Sequence, residues 1–176
     1  MLLPRITDND FVLFGLPERQ AVDRARLDEQ RRALQAQVHP DRFAAEGAAA
    51  QRVAMQWAVR VNEAHERLKD PLKRAAYLCE LRGVPIEAER NTAMPAAFLV
   101  RQMQWREALD EAADLAAVEA LDEEVARDEH AGLARITQWL DEAGDTVAAA
   151  AEVRALMFVA RFREDVARRL EALDAH

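Results

Sequence analysis

The chain has 176 residues, 51% hydrophobic and 32% charged, a balance that excludes a disordered polymer and fits a folded protein. Its net charge of −8 is uneven: residues 1–82 carry 14 basic against 12 acidic side chains (net +2), and residues 83–176 carry 10 against 20 (net −10). A small basic surface on an acidic chain argues against a nucleic-acid partner, and no apolar run approaches the roughly 20 residues of a membrane span.

One cysteine, Cys79, cannot form an internal disulfide and suits a reducing compartment. The N-terminus carries neither a basic region followed by a long apolar run nor an Arg-rich presequence. The expected location is therefore cytoplasmic. Only five glycines and six prolines occur, and with the Ala, Leu, Glu and Arg content they predict an all-α protein.

Residues 1–10 read as a lead-in, with Asp8 or Asn9 able to cap a short helix whose Phe11, Leu13 and Phe14 anchor in the core. Gly15 and Pro17 end it. From Asp23 to Val38, Leu27, Leu34 and Val38 share one helical face, while Arg24, Arg31 and Arg32 leave a basic surface. Pro40 stops that helix by removing a backbone donor and restricting His39. After the soft stretch Ala44–Ala50, a third helix places Val53, Trp57, Val61, Ala64 and Leu68 on a core stripe, with Asn62, Glu63 and His65 as surface residues. Asp70-Pro71 opens a fourth helix. Residues 83–95, with Gly83, Pro85, Asn91 and Pro95 and little periodicity, read as a linker. It divides a domain at 1–82 from one at 96–176, and it is short enough that the two are expected to pack together. The second domain reads as three antiparallel helices, roughly 96–114, 117–142 and 145–174. Gly144 is the clearest turn and Gly132 a weak point in the middle helix.

His39-Pro40-Asp41 stands at the tip of the hairpin formed by the second and third helices. Three readings are open: an ordinary Pro-Asp turn, a catalytic His-Asp pair, or a recognition loop. The catalytic reading lacks a neighbouring nucleophile or ligand. A recognition loop needs a fixed shape, exposed polar groups and a charged surface beside them, and this stretch offers all three.

Around that tripeptide the order of features is specific. A basic helix, Gln37-Val38-His39-Pro40-Asp41-Arg42-Phe43, and a long helix ending in Lys69-Asp70-Pro71 together resemble a J-domain. Phe11-Val12-Leu13-Phe14-Gly15-Leu16-Pro17 resembles that domain's opening helix and turn. Leu72-Lys73-Arg74-Ala75-Ala76-Tyr77-Leu78 is similar to the fourth helix of the HscB branch, the co-chaperones of iron–sulfur cluster assembly. The resemblance spans essentially the whole chain. It implies an N-terminal J-domain hairpin with flanking helices, packed against a C-terminal three-helix scaffold-binding domain. N-terminal paired cysteines for metal, found in vertebrate-like HscB, are absent.

An enzyme is not expected. The chain has no serine, its histidines (His39, His65, His130 and His176) are scattered, and it has no Gly-rich phosphate loop. No cofactor and no metal site are expected. The resemblance instead implies two protein partners. A specialised DnaK-type ATPase, HscA-like, would meet His39, Pro40, Asp41 and Arg42 with Arg24, Arg31 and Arg32; Arg42 stands where the family more often has lysine, which keeps the charge.

On the fifth helix, Phe98, Trp105, Leu109 and Ala112 share a core face, and Leu99, Val100 and Met103 fall outward beside Gln104, Glu107 and Glu111. Apolar residues rimmed by acids suit a binding surface, although the pattern equally allows packing against another helix or the J-domain. The resemblance implies that this face, with Phe158 as an exposed aromatic from the last helix, binds an iron–sulfur scaffold protein, IscU-like. Gln104 stands where an acid is more usual. The other functional reading is a general J-domain co-chaperone for misfolded clients. Against it, the Gly/Phe-rich segment and zinc module of some such proteins are missing.

Overall fold

The computed structural model describes residues 4–175, all helix and connection. It divides into two compact units, one ending at Leu78 and the other beginning at Cys79.

In the first unit, α1 (Asp10–Leu13) is capped by Asn9, whose side chain accepts from the Val12 amide. Phe11, Leu13 and Phe14 are buried, as their size predicts. Asp23 caps α2 (Arg24–Val38), which buries Leu27 and Leu34. The hairpin partner is α3 (Ala48–Lys69). Asp70 accepts from the amides of Leu72 and Lys73 at 2.9 and 3.0 Å, which starts α4 (Pro71–Leu81) with proline in its first turn.

A buried carboxylate ties these helices together. Asp10 lies 2.8 Å from Arg60 and 2.9 Å from Arg67, both on α3. The Arg67 guanidinium sits 4.6 Å over the Tyr77 ring, and Tyr77 stacks on Phe11. The Tyr77 hydroxyl in turn accepts from the Asp10 amide at 3.0 Å. A fully buried charge is tolerable when paired and hydrogen-bonded in this way.

The α3 stripe departs from expectation at its N-terminal end. Val61, Ala64 and Leu68 are buried, but Val53 is exposed and Trp57 only half-buried. The first turns of α3, which has 22 residues against 15 in α2, run past their partner, and Val53 and Trp57 line an open groove with Val38 and Phe43 where α2 ends. His65, expected on the surface, is buried and bonds Asp28 of α2 at 2.7 Å.

The second unit is a three-helix bundle of α5 (Ala96–Glu111), α6 (Leu115–Thr137) and α7 (Thr146–Asp174). Asp114 and Asp145 cap α6 and α7. The ends are tighter than the pattern predicts. Helix α5 stops at Glu111, and α6 finishes in a π-helical turn, Gln138–Ala143, closed by Gly144 at φ +68°, the left-handed region glycine favours. Trp105 stacks on Phe162, Arg106 lies 3.8 Å from Asp165, and Arg169 donates to the Ala112 carbonyl, so α5 and α7 run parallel. Arg101–Asp128 and Trp105–Glu124 set α6 antiparallel to both.

Gly132 is a point of contact rather than a weakness. A Cβ there would sit 2.8 Å from Leu156 Cδ2 and 2.9 Å from Glu152 Oε1, so glycine lets α6 approach α7. Beside it, the buried Glu152 accepts from Arg135 at 2.6 Å.

Candidate functional site

Pro40 opens a 3₁₀ helix (Pro40–Glu46) between α2 and α3, and His39 takes the extended geometry that a following proline favours. The His39 Nδ1 atom accepts the Asp41 amide at 3.3 Å and lies 3.6 Å from the Asp41 carboxylate. Imidazole and carboxylate nevertheless point to solvent, with side chains 59% and 92% exposed. The turn is thus held by its own backbone and by proline, and both polar heads stay available. Phe43 folds back beside Val38, Val53 and Trp57, as its position after the turn suggests.

The basic residues predicted to accompany the tip differ in freedom. Arg42 donates to the Ala36 carbonyl at 2.8 Å, so its guanidinium closes the last turn of α2 rather than standing free. Arg24 is clamped by both carboxylate oxygens of Asp28 at 3.1 Å and reaches the Lys69 carbonyl at 3.4 Å. Asp28 is held below its usual carboxylate range first by the His65 hydrogen bond and then by Arg24. Arg31 reaches Asn62 on α3 at 3.5 Å, and Arg32 is exposed. Nothing in the sequence pattern marked Asn62, Gln35 or Asp28 as partners of this surface, because each contact crosses between helices.

On the second unit, Phe98, Trp105 and Ala112 are buried as predicted, and Leu109 is half-buried. Leu99, Val100 and Met103 project outward at 44%, 57% and 74% exposure. Gln104, Glu107 and Glu111 are exposed around them. Phe158 is a correction: it is half-buried, not an exposed anchor. It precedes by one helical turn Phe162, whose ring stacks on Trp105 of α5, and so lies towards the same side of α7. Parallel packing of the two helices therefore covers part of its ring.

Cys79 is buried, and burial pushes its thiol up to about 11. Among the described residues no group of three or more His, Cys, Asp or Glu is placed to hold a metal ion, and no helix is long and apolar enough to cross a membrane.

Comparison with known proteins agrees with this architecture. Residues 94–167 match a family model described as the HSCB C-terminal oligomerisation domain. A co-chaperone protein HscB homolog of Burkholderia multivorans is 53% identical over 172 residues, covering 96% of this chain and 98% of that protein. Its counterpart in Cupriavidus taiwanensis is 47% identical over 176 residues, covering 97% and 98%. Among solved structures, the chaperone HscB from Vibrio cholerae superposes with a TM-score of 0.86 at 38% identity, over 94% of this chain and 99% of that one. Human co-chaperone protein HscB gives 0.86 at 25% identity, over 96% and 85%. With half its residues shared with such relatives along nearly its full length, the chain belongs to the HscB family of co-chaperones.

Proposed function

We propose that this chain is a co-chaperone of iron–sulfur cluster biogenesis, acting in the cytoplasm. It binds an IscU-like scaffold protein, delivers it to a specialised HscA-like DnaK-type chaperone, and stimulates that chaperone's ATP hydrolysis. The division of labour follows the sequence: a J-domain at 1–82, a linker at 83–95 and a scaffold-binding bundle at 96–176.

One observation carries the reading. The molecule exposes two unlike surfaces on two compact units: a Pro-fixed His-Asp turn flanked by arginines, and an apolar patch on α5 rimmed by acids. A stimulator of a two-state ATPase must bind its hydrolysis-competent state more tightly than the other. A rigid, charged turn suits that discrimination, because little of its binding energy goes into ordering a loop. The protein contributes no catalytic group; hydrolysis is the partner's chemistry. Apolar side chains on α5 offer the central anchors that dominate protein interfaces.

The test is a pair of measurements on the wild-type chain. Titration calorimetry against the cognate scaffold is expected to give a saturable one-to-one isotherm. Single-turnover hydrolysis by the DnaK-type chaperone is expected to accelerate on adding the protein, and further with scaffold present. Acceleration without scaffold binding would instead favour a general J-domain co-chaperone.

A further inference from the structure

A cleft of about 670 Å³ separates the arms of the hairpin directly beneath the tip, lined by Gln35, Ala36, His39, Pro40, Arg42, Ala58 and Asn62. Close apolar packing therefore does not support the turn on this side. Directional polar bonds span the space instead. The Asn62 side-chain oxygen accepts from Gln35 Nε2 at 2.9 Å and lies 3.5 Å from Arg31 Nη2. Both donors are on α2. Gln35 sits one turn before His39, and Arg31 one turn before Gln35. The Arg31 Nε atom is buried without a hydrogen-bond partner, which leaves Asn62 as the acceptor recorded for that guanidinium.

We propose that Asn62 is a positioning residue for the His39-Pro40-Asp41 turn: by accepting from Gln35 and Arg31 it fixes the last two turns of α2, and with them the direction in which the turn and the Arg31 charge face the partner ATPase. This rests on the docking role given to the hairpin above. Asn62 touches neither partner nor nucleotide in this role; it acts through α2. Its own carboxamide is exposed, so losing it leaves no buried polar group stranded on α3. The fold is therefore expected to survive its removal, while the geometry of the tip does not.

The experiment is single-turnover ATP hydrolysis by the cognate DnaK-type chaperone across a concentration series of the full chain. Asn62→Ala is expected to lower the maximal stimulated rate by about three- to tenfold, the range that loss of one positioning hydrogen bond allows. Half-saturation shifts less, because Arg24 and Arg32 remain. Asn62→Asp keeps an acceptor at the same place and restores the rate. Gln35→Ala lowers the rate alone but adds little in an Asn62→Ala background, since both remove the same bond. A full maximal rate for Asn62→Ala, failure of Asn62→Asp to restore it, or strict additivity with Gln35→Ala overturns the proposal. So does a fall in melting temperature that accounts for the loss. His39→Gln runs alongside: if it stimulates as well as wild type, the docking reading itself is wrong, and Asn62 is not the cause.

Discussion

The tip of the hairpin and the outer face of α5 are both exposed, and they reach exposure by opposite routes. At the tip a proline, a 3₁₀ turn and the bond from the Asp41 amide to His39 fix the backbone, so two polar heads stand in water with little freedom left to lose. On α5 the backbone is an ordinary helix; what sets the proposed surface apart is the choice of exposed Leu99, Val100 and Met103 where the bundle asks for nothing apolar. One surface is specified by geometry, the other by composition. A single substitution should therefore disable the first, whereas the second should erode residue by residue.

The largest expected effect tests the geometric surface. His39→Gln or Asp41→Asn should reduce stimulation of the partner ATPase by more than about tenfold, a loss of at least ~1.4 kcal/mol of transition-state coupling. Circular dichroism should show unchanged helix, since neither side chain is buried. Full stimulation by both variants would remove the distinction between the surfaces.

Next comes the apolar face. Leu99→Ala with Met103→Ala and Phe158→Ala should cost roughly 2–4 kcal/mol of scaffold affinity by calorimetry, in keeping with central anchors. Stimulation without scaffold should persist. Phe158 is half-buried, so its truncation also loosens the bundle; Met103→Ala alone, at the most exposed position, should show a smaller affinity loss at unchanged melting temperature. An undiminished affinity for the triple variant would place the scaffold site elsewhere.

Smaller effects separate each surface from its support. Gly132→Ala drives a methyl group into the buried Leu156 and Glu152, and overpacking of this kind costs about 1–3 kcal/mol. Better helix propensity returns roughly 1 kcal/mol. A net destabilisation of about 1 kcal/mol in urea unfolding is expected, with ATPase stimulation intact. The smallest effect concerns pH. His65 and then Arg24 hold Asp28 below its ordinary value of 3.8. A depressed carboxylate contributes stability above its unfolded value and loses it as pH falls through the folded one. Thermal melts of wild type should therefore decline more steeply below pH 3.8 than those of Asp28→Asn. Parallel curves would show that the clamp on Arg24 contributes nothing.

Local rules were legible from residues alone. Asn9 caps α1, Asp23 starts α2, Asp70-Pro71 opens α4, Pro40 breaks a helix, and the two faces of α5 follow from counting 100° per residue. Contacts between helices were not. Asp10 fell within the lead-in at 1–10, yet it is buried, with Arg60 and Arg67, fifty and more residues away, converging on it. His65 was hidden for the same reason: its partner, Asp28, lies on another helix. Val53 and Trp57 carry the right period but border an open groove with Val38 and Phe43 where α2 ends, and periodicity does not say where a neighbour stops. Phe158 failed in the opposite sense, since position off the main stripe of α7 did not register the second neighbour, α5.

The buried thiol has a consequence for handling the protein. With Cys79 raised to about 11, roughly one molecule in ten thousand carries a thiolate at pH 7. Alkylating reagents act on that form and must reach it, so the only sulfhydryl of the chain reacts slowly while the fold is intact. Iodoacetamide labelling of this one thiol thus becomes a clock for opening of the structure around α4.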